Sequence, residues 1–517
     1  MTETALTAAR GTSVFMFQAA ITGILRVLNL VILTRLLLQS EMGQIGFLGI
    51  IYGFMQFLGA AGLNHAAPLV VPEEEGKGTS GAVRNFLKRS AAIILISSSI
   101  LVLLVFLLTP FLFGISGVPE SLIHLVLIIG PFSAMETFLD SFLLARYYVR
   151  SLTLGRIVFD TTRIVGTIGL VLAGFGVAGV MLGWLGGELV AVLVFVTAAS
   201  RNLEYSSTAI KMGPVLAFAL PNLAFQTIDV AIQSTDRLIL LNLMGLTALG
   251  VFDVFLRILY MFSLVSLTIA SSIYPVLTRI RLKLEEKDDS GSAMGGVVVA
   301  LVRYIIILLL PVAVIIALNS FTVLEVLFGL PYADFPDAVL SFSLLVLVYT
   351  LWGVVYAIHT ALRSMGEARF FIIVGVFIIA FEIVGCWYLT SLFGLLGSVL
   401  VRCTYITLLF IASWARLKQR GLRGLGRTVI SLGKVGTASA LAGLIVFIAS
   451  PSGIIELGLW LLVSIFAYSI FLFLFREMKD IDFQLARAVL PSSLHGLVSR
   501  VERIYFKSPE YHPNQLS

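Results

Sequence analysis

Phe175-Gly-Val-Ala-Gly-Val-Met-Leu182 returns 218 positions later as Phe393-Gly-Leu-Leu-Gly-Ser-Val-Leu400, each copy lying between two long apolar runs. The shared pattern F-G-x-x-G-x-x-L reads as a tight glycine turn between two helices, used twice. Two further matches keep the same order along the chain. Thr34-Arg-Leu-Leu-Leu38 with Gly43 pairs with Asp236-Arg-Leu-Ile-Leu240 with Gly245 at an offset of 202, and Leu112-Phe-Gly114 pairs with Leu327-Phe-Gly329 at 215. A slowly growing offset marks one duplicated unit.

Composition says what the unit is made of. Of 517 residues, 59% are hydrophobic and 12% charged, against about 45–50% and 25% in soluble domains, and the mean hydropathy is +1.02. An ordinary water-soluble protein is excluded. A run of about 20 apolar residues crosses some 30 Å of hydrocarbon, and such runs recur along the whole chain. The predicted class is an all-α membrane protein with fourteen transmembrane helices, near 11–36, 42–63, 90–113, 122–146, 153–174, 178–199, 214–240, 249–275, 297–318, 338–362, 370–389, 396–415, 429–449 and 453–475.

Twelve of these spans fall into the duplication, six per copy, and two are added after it. Because six is even, both copies enter from the same side and are parallel repeats about an axis along the membrane normal. The chain divides into a cytoplasmic N-terminus (1–10), an N-lobe of spans 1–6 (11–200), a cytoplasmic linker (201–213), a C-lobe of spans 7–12 (214–415), spans 13 and 14 (429–475) and a cytoplasmic tail (476–517). Within the tail, the segment from Leu494 to Phe506 is apolar on one side and basic on the other, suited to the inner membrane surface.

Charge fixes the orientation. Of 35 Lys and Arg, 28 fall on one side of the membrane, two (Arg35 and Arg237) on the other, and five within spans. The positive-inside rule places both ends in the cytoplasm of a multi-pass cell-membrane protein. The net charge of +6 is therefore a topology and lipid-headgroup signal, and a nucleic-acid partner loses its warrant. Cys386 and Cys403 both sit inside apolar runs, which leaves no disulfide framework and no metal site. Gly174-Phe-Gly-Val-Ala-Gly179 fits G-x-G-x-x-G, and Gly421-Leu-Arg-Gly-Leu-Gly-Arg-Thr428 approaches a P-loop. Neither follows a strand, so no nucleotide cofactor is expected.

Charges inside the spans carry whatever chemistry the chain has, since an ionised group facing lipid costs at least about 2.5–3.5 kcal/mol. Arg26 is near the middle of span 1, with Thr22, Gly23, Asn29 and Leu30 at helical spacing and no acid among them. It faces water, another helix or a ligand, and Asp229 of span 7 is the partner the repeat offset suggests. Arg163 has Asp160 three residues before it and Arg257 has Asp253 four before, so both can be neutralised within their own helices. Arg303 and Arg402 lie within two turns of a span end and can snorkel. Arg35 and Arg237 end spans at matching positions of the outer face, as helix anchors or an outer gate.

Acids are candidates for ion coupling. Asp229, Glu188 and Glu382 lie near mid-depth, and Glu136 shares a helix face with Asp140. Two close carboxylates favour a shared proton. His359, near the inner end of span 10, reads as a packed or hydrated histidine.

These features together resemble the multidrug/oligosaccharidyl-lipid/polysaccharide (MOP) exporter superfamily, and within it the Wzx-like polysaccharide transporters. The R-L-x-L…G segments, Tyr274-Pro-Val-Leu277, the L-F-G exits, the F-G-x-x-G turns and the 6+6+2 helix count carry the resemblance, over about residues 10–480. It implies two pseudo-symmetric bundles around a cavity that opens alternately to each side, with cationic cavity residues on the helix of Arg257. It also implies a function: a flippase moving a polyprenyl-(di)phosphate-linked oligosaccharide for surface polysaccharide or glycoprotein assembly.

Arg26, Arg257 and Arg163 are then the candidate substrate contacts, because a planar guanidinium can hold phosphate oxygens through two hydrogen bonds. Besides the glycolipid and membrane lipids, H+ or Na+ is the expected partner, and no oligomer is required. An ion-coupled multidrug or organic-cation antiporter of the MATE branch is the alternative. A membrane glycosyltransferase is disfavoured, because the outward loop Asn319–Asp337 holds no Lys, Arg or His, and no enzymatic activity is expected.

Overall fold

In lipid every backbone N–H and C=O must be satisfied within the chain, which leaves helices as the economical solution. A computed structural model describes residues 22–77, 80–201, 210–284, 290–365, 367–420 and 427–477, with positions 496, 499, 500 and 502. Among the described residues all regular structure is helical. The N-terminus, the first half of span 1 and nearly all of the tail, with its amphipathic segment, lie outside them.

The helices run α1 (22–36), α2 (Gln39–Gly59), α3 (Leu63–Gly76), α4 (Ser80–Ser116), α5 (Glu120–Ala145) and α6 (Val149–Leu170). A wide turn over Val171–Phe175 leads to α7 (Gly176–Ala199). Then come α8 (Met212–Leu284), α9 (Ser290–Leu318), α10 (Ser320–Phe328), α11 (Leu330–Ala333), α12 (Ala338–Ser364), α13 (Ala368–Gln419), α14 (Arg427–Ala449) and α15 (Ile454–Leu474).

Nine described helices are long and apolar enough to cross a membrane, against the fourteen spans expected. The difference lies in how the chain turns. Three of the nine, Val149–Ala199, Met212–Tyr260 and Phe370–Gln419, run for 49 to 51 residues, about 75 Å at 1.5 Å per residue and over twice the hydrocarbon thickness. Each is broken at glycine: Gly174 and Gly176, Gly245, and Gly394. The turns of the repeated motif superimpose in backbone conformation, with Gly176 at φ 52°, ψ −132° and Gly394 at φ 56°, ψ −133°. No Cβ-bearing residue adopts those angles cheaply, so one glycine reverses the chain where a loop would otherwise stand.

Two expected loops are helical. The inward segment 64–89 forms α3 and the start of α4, because Leu63, Ala66, Ala67 and Val71 are buried with Phe86, Phe138 and Phe142. The outward segment 319–337 contains α10 and α11. Many large apolar side chains are instead exposed, among them Leu107, Phe377 and Ile455, where lipid takes the place of water.

The chain forms two compact units. The first comprises Met1–Thr268, Leu327–Ser341 and Gly366–Leu409. In it α6 and α7 pack closely through Gly179, Gly183 and Gly187, spaced four apart, which lie against Leu170, Thr167 and Arg163. In the equivalent hairpin of the second copy Gly397 keeps the place of Gly179, while Val401 and Tyr405 stand where Gly183 and Gly187 do. Gly183 meets Thr167 in the first copy; 218 positions on, Val401 meets Gly385, so the small residue has moved to the other helix while the fit is kept. The second unit comprises Ile269–Val326, Phe342–Met365 and Phe410–Ser517. There α14 and α15 pack on α9: the Tyr468 hydroxyl donates to the Ile307 carbonyl at 2.9 Å, and Arg303 Nη2 donates to the Glu477 carbonyl at 2.6 Å.

Candidate functional site

The site lies in the first unit and is organised by one face of α2. Gly46, Gly49 and Gly53 fall on that face at helical spacing. A Cβ at Gly46 would stand 3.0 Å from the Asp253 carboxyl carbon, and one at Gly49 would stand 3.6 Å from Arg257 Nη2 and 3.8 Å from the Trp184 ring, while the space beside Gly53 is open. A bare backbone strip therefore lets charged side chains of α6 and α8, and an aromatic of α7, gather beside α2.

Arg26 of α1 does not meet Asp229. It reaches Asp160 of α6 through two hydrogen bonds, Nε to Oδ1 at 3.0 Å and Nη2 to Oδ2 at 3.1 Å. Asp160 is buried, but the Arg26 side chain remains 41% exposed. Asp229 instead accepts from Gln233 Nε2 at 2.8 Å, one turn along its own helix.

This removes the partner that sequence spacing gives Arg163. With Asp160 bound to Arg26, the Arg163 guanidinium lies over Trp184, 4.2 Å from the ring centroid, with Tyr52 at 5.7 Å and Phe159 at 5.8 Å. No acceptor among the described residues takes a hydrogen bond from it. Cation–π contact supports its charge but leaves its in-plane N–H donors unused. Beside it, the Tyr52 hydroxyl donates to Glu188 Oε1 at 2.5 Å. Glu188 is fully buried and its Oε2 has no hydrogen-bond partner. Glu136 of α5 is part-buried, with the Thr137 hydroxyl at 3.5 Å, and its neighbour Asp140 is taken by Arg156 at 2.7 Å.

Arg257 does pair within its helix, Nε to Asp253 Oδ2 at 2.5 Å, but Asp253 is shared: Arg237 Nη1 donates to Oδ1 at 3.1 Å. One buried carboxylate thus serves two guanidiniums, and Arg257 stays 31% exposed. Arg35 lies against the Gly329 turn.

A second charged cluster, on α8 and α13, was not legible from span boundaries. Arg402, expected to snorkel, is buried and bound twice to Asp236, Nε to Oδ2 at 2.6 Å and Nη2 to Oδ1 at 2.9 Å. Glu382 is fully buried nearby, and neither of its oxygens has a hydrogen-bond partner among the described residues. The repeat offers a signal for this difference: at the 218 offset Arg402 and Glu382 replace Trp184 and Ile164, so the second copy is charged where the first is apolar. Arg303 does not snorkel either; it is buried with Glu477. His359 Nε2 contacts the Ser413 hydroxyl at 2.9 Å.

Beside α2, then, are Arg257, held by a buried carboxylate yet partly open, and Arg163, stacked on an aromatic ring, with a glycine floor; Arg26 joins them through Asp160, three residues before Arg163 on α6. Such a site can bind an anionic group through Arg while ring faces pack beside it.

Solved structures place the fold among known transporters. The lipid II flippase MurJ in an inward-closed conformation is similar with a TM-score of 0.66 and 13% identity, covering 89% of this chain and 98% of that one. An inward-facing multidrug resistance MATE family transporter of the MOP superfamily gives 0.61 and 16% identity over 77% of this chain and 95% of that one. The Vibrio cholerae MATE transporter VcmN gives 0.59 and 15% identity over 80% and 96%. Comparison with curated protein sequences gives no match. At these identities the likeness shows the fold alone. The sequence itself matches the family described as polysaccharide biosynthesis protein over residues 32–337. With more than half its length so matched, the chain belongs to the polysaccharide biosynthesis protein family.

Proposed function

We propose that this protein is a flippase that moves a polyprenyl-(di)phosphate-linked oligosaccharide across the cell membrane by alternating access. In this reading the chain crosses the membrane fourteen times with both ends in the cytoplasm; the three helices broken at glycine, each long enough for two crossings, support such a count. The observation that carries the reading is Arg163. A guanidinium in the membrane that stacks on Trp184 and spends none of its donors on the described residues is built for an anion that comes and goes. Arg26 and Arg257 extend the site on either side; their carboxylates keep them in place at some 30–40% exposure.

A diphosphate presents several oxygens to these forks, and the glycan finds rings and exposed backbone along α2. Lipid tails need no such site and stay in the bilayer. The fully buried Glu188 and Glu382 favour ion coupling as the energy source, and they also suit the second reading, a cation-coupled MATE-type antiporter.

Translocation of fluorescent polyprenyl-diphosphate glycans in proteoliposomes tests the proposal. Arg163→Ala, Arg26→Ala and Arg257→Ala should each slow glycolipid movement at least tenfold, taking about 1.4 kcal/mol per tenfold step. Drug export driven by a cation gradient that survives all three substitutions, with no glycolipid movement, would establish the antiporter instead.

A further inference from the structure

We infer that Glu188 is a proton-operated switch on Arg163, so that the anion is bound when Glu188 is neutral and released when it is ionised. The inference rests on the proposed role of Arg163 and adds its regulation. Glu188 and Trp184 are one turn apart on α7, and Arg163 lies over that Trp ring while its Cβ comes up against Gly187. Glu188 and Arg163 therefore share one small volume with Tyr52, whose ring faces the guanidinium and whose hydroxyl holds the carboxyl group.

The two oxygens of Glu188 are unequal. Oε1 is held by the Tyr52 hydroxyl. Oε2 is buried with no partner, and a carboxylate so placed costs several kcal/mol unless a cation compensates it or a proton occupies it. In the first case Arg163 is the cation, its charge is spent, and a phosphate has nothing to gain there. In the second Oε2 carries the proton, Arg163 is uncompensated, and an anion is drawn in. Anion and proton thus arrive together and leave together, and linkage makes the effect reciprocal.

The other charged groups facing this volume leave the role to Glu188. Asp160 of α6 is bound twice to Arg26 of α1, and Asp140 of α5 twice to Arg156 of α6. Glu136 of α5 is part-buried, with the Thr137 hydroxyl at 3.5 Å. Tyr52 of α2 donates its proton to Glu188 and supplies no charge.

The test uses the full-length protein in lipid nanodiscs with farnesyl diphosphate as the probe, its affinity measured by ligand-induced tryptophan fluorescence and by calorimetry across a pH series. Wild type should lose about tenfold in affinity from acid to alkaline pH beyond any titration of the probe itself. Glu188→Gln keeps the shape and the Tyr52 contact, and it should bind tightly and follow only the probe's titration. Arg163→Gln should bind weakly at every pH. Calorimetry in buffers of different ionisation enthalpy should show proton uptake on binding in wild type and none in Glu188→Gln. Coincident pH profiles and equal proton uptake for wild type and Glu188→Gln would overturn the switch while leaving Arg163 as the anion site. Binding unaffected by Arg163→Gln, or absent from wild type, would overturn both.

Discussion

Gly43 and Gly250 face each other where α2 crosses α8, and they do so reciprocally. A Cβ on Gly43 would collide with the carbonyl of Leu246, and one on Gly250 with the carbonyl of Gln39. Leu246 follows Gln39 by 207 positions, as Gly250 follows Gly43. Contacts that map onto each other in this way define a local two-fold axis, and Gly46 against Asp253 and Gly49 against Arg257 continue the crossing into the candidate site. This local axis pairs Gly43 with Gly250, five positions beyond the Gly245 that the motif match gives, and it lies beside the charged groups.

Gly250→Val should destabilise the protein more than any substitution on the lipid-facing surface. Backbone on the opposite helix cannot yield as a side chain can, and overpacking costs about 1–3 kcal/mol even where it can. Thermal unfolding in detergent should show a lower midpoint than wild type, with Leu107→Ala as the exposed control. An unchanged midpoint for Gly250→Val would mean the helices do not cross at that distance.

Breaking the buried Asp236 and Arg402 pair from one side should cost about 3–5 kcal/mol, because the survivor is left charged and unpaired. Arg402→Met and Asp236→Asn should each lower the unfolding midpoint sharply, and the double substitution should recover most of the loss. Additive losses in the double variant would argue against direct pairing.

Glu382→Gln should leave stability within about 0.5 kcal/mol of wild type, since the carboxyl makes no hydrogen bond that the amide would lose, and it should weaken the dependence of transport on an imposed proton or sodium gradient. Gradient dependence equal to wild type would remove Glu382 from the coupling path.

Asp160→Asn should impair transport while leaving the fold intact. Arg26 would lose its carboxylate and its fixed direction, and charge-assisted hydrogen bonds of this kind contribute about 1.5–3 kcal/mol. Arg26→Lys should behave similarly, because an ammonium cannot reproduce the two-point contact. Flipping rates for both, normalised to the amount of folded protein, provide the check; rates like wild type would make the pair dispensable.

Arginines within the apolar runs stand out in the sequence because an intramembrane cation is costly, and the duplication is legible because glycine turns and exits leave motifs behind. Pairing was another matter. Spacing gave Asp160 to Arg163, three residues away on one helix, whereas Arg26 takes it from another helix. The repeat offset gave Arg26 to Asp229, yet Asp229 holds Gln233. Arg402, close to a span end, read as a snorkelling side chain and is buried on Asp236. For Asp160 and Arg402 a partner on another helix displaced the local choice, while Asp229 kept a partner on its own helix; which helix is neighbour is absent from one-dimensional spacing.

By itself the sequence determined that lipid is the solvent, that the chain is helical and that a unit is duplicated. Those follow from the composition of segments about 20 residues long, since hydrocarbon selects for them one segment at a time. The tertiary structure alone decided which glycines would serve as contact points, that Arg163 would stack on Trp184 with no hydrogen-bond acceptor among the described residues, and that Glu188 would stand beside it. Those outcomes depend on which atoms lie within a few ångströms across helices, where charges either meet a partner or are left to find one in a ligand.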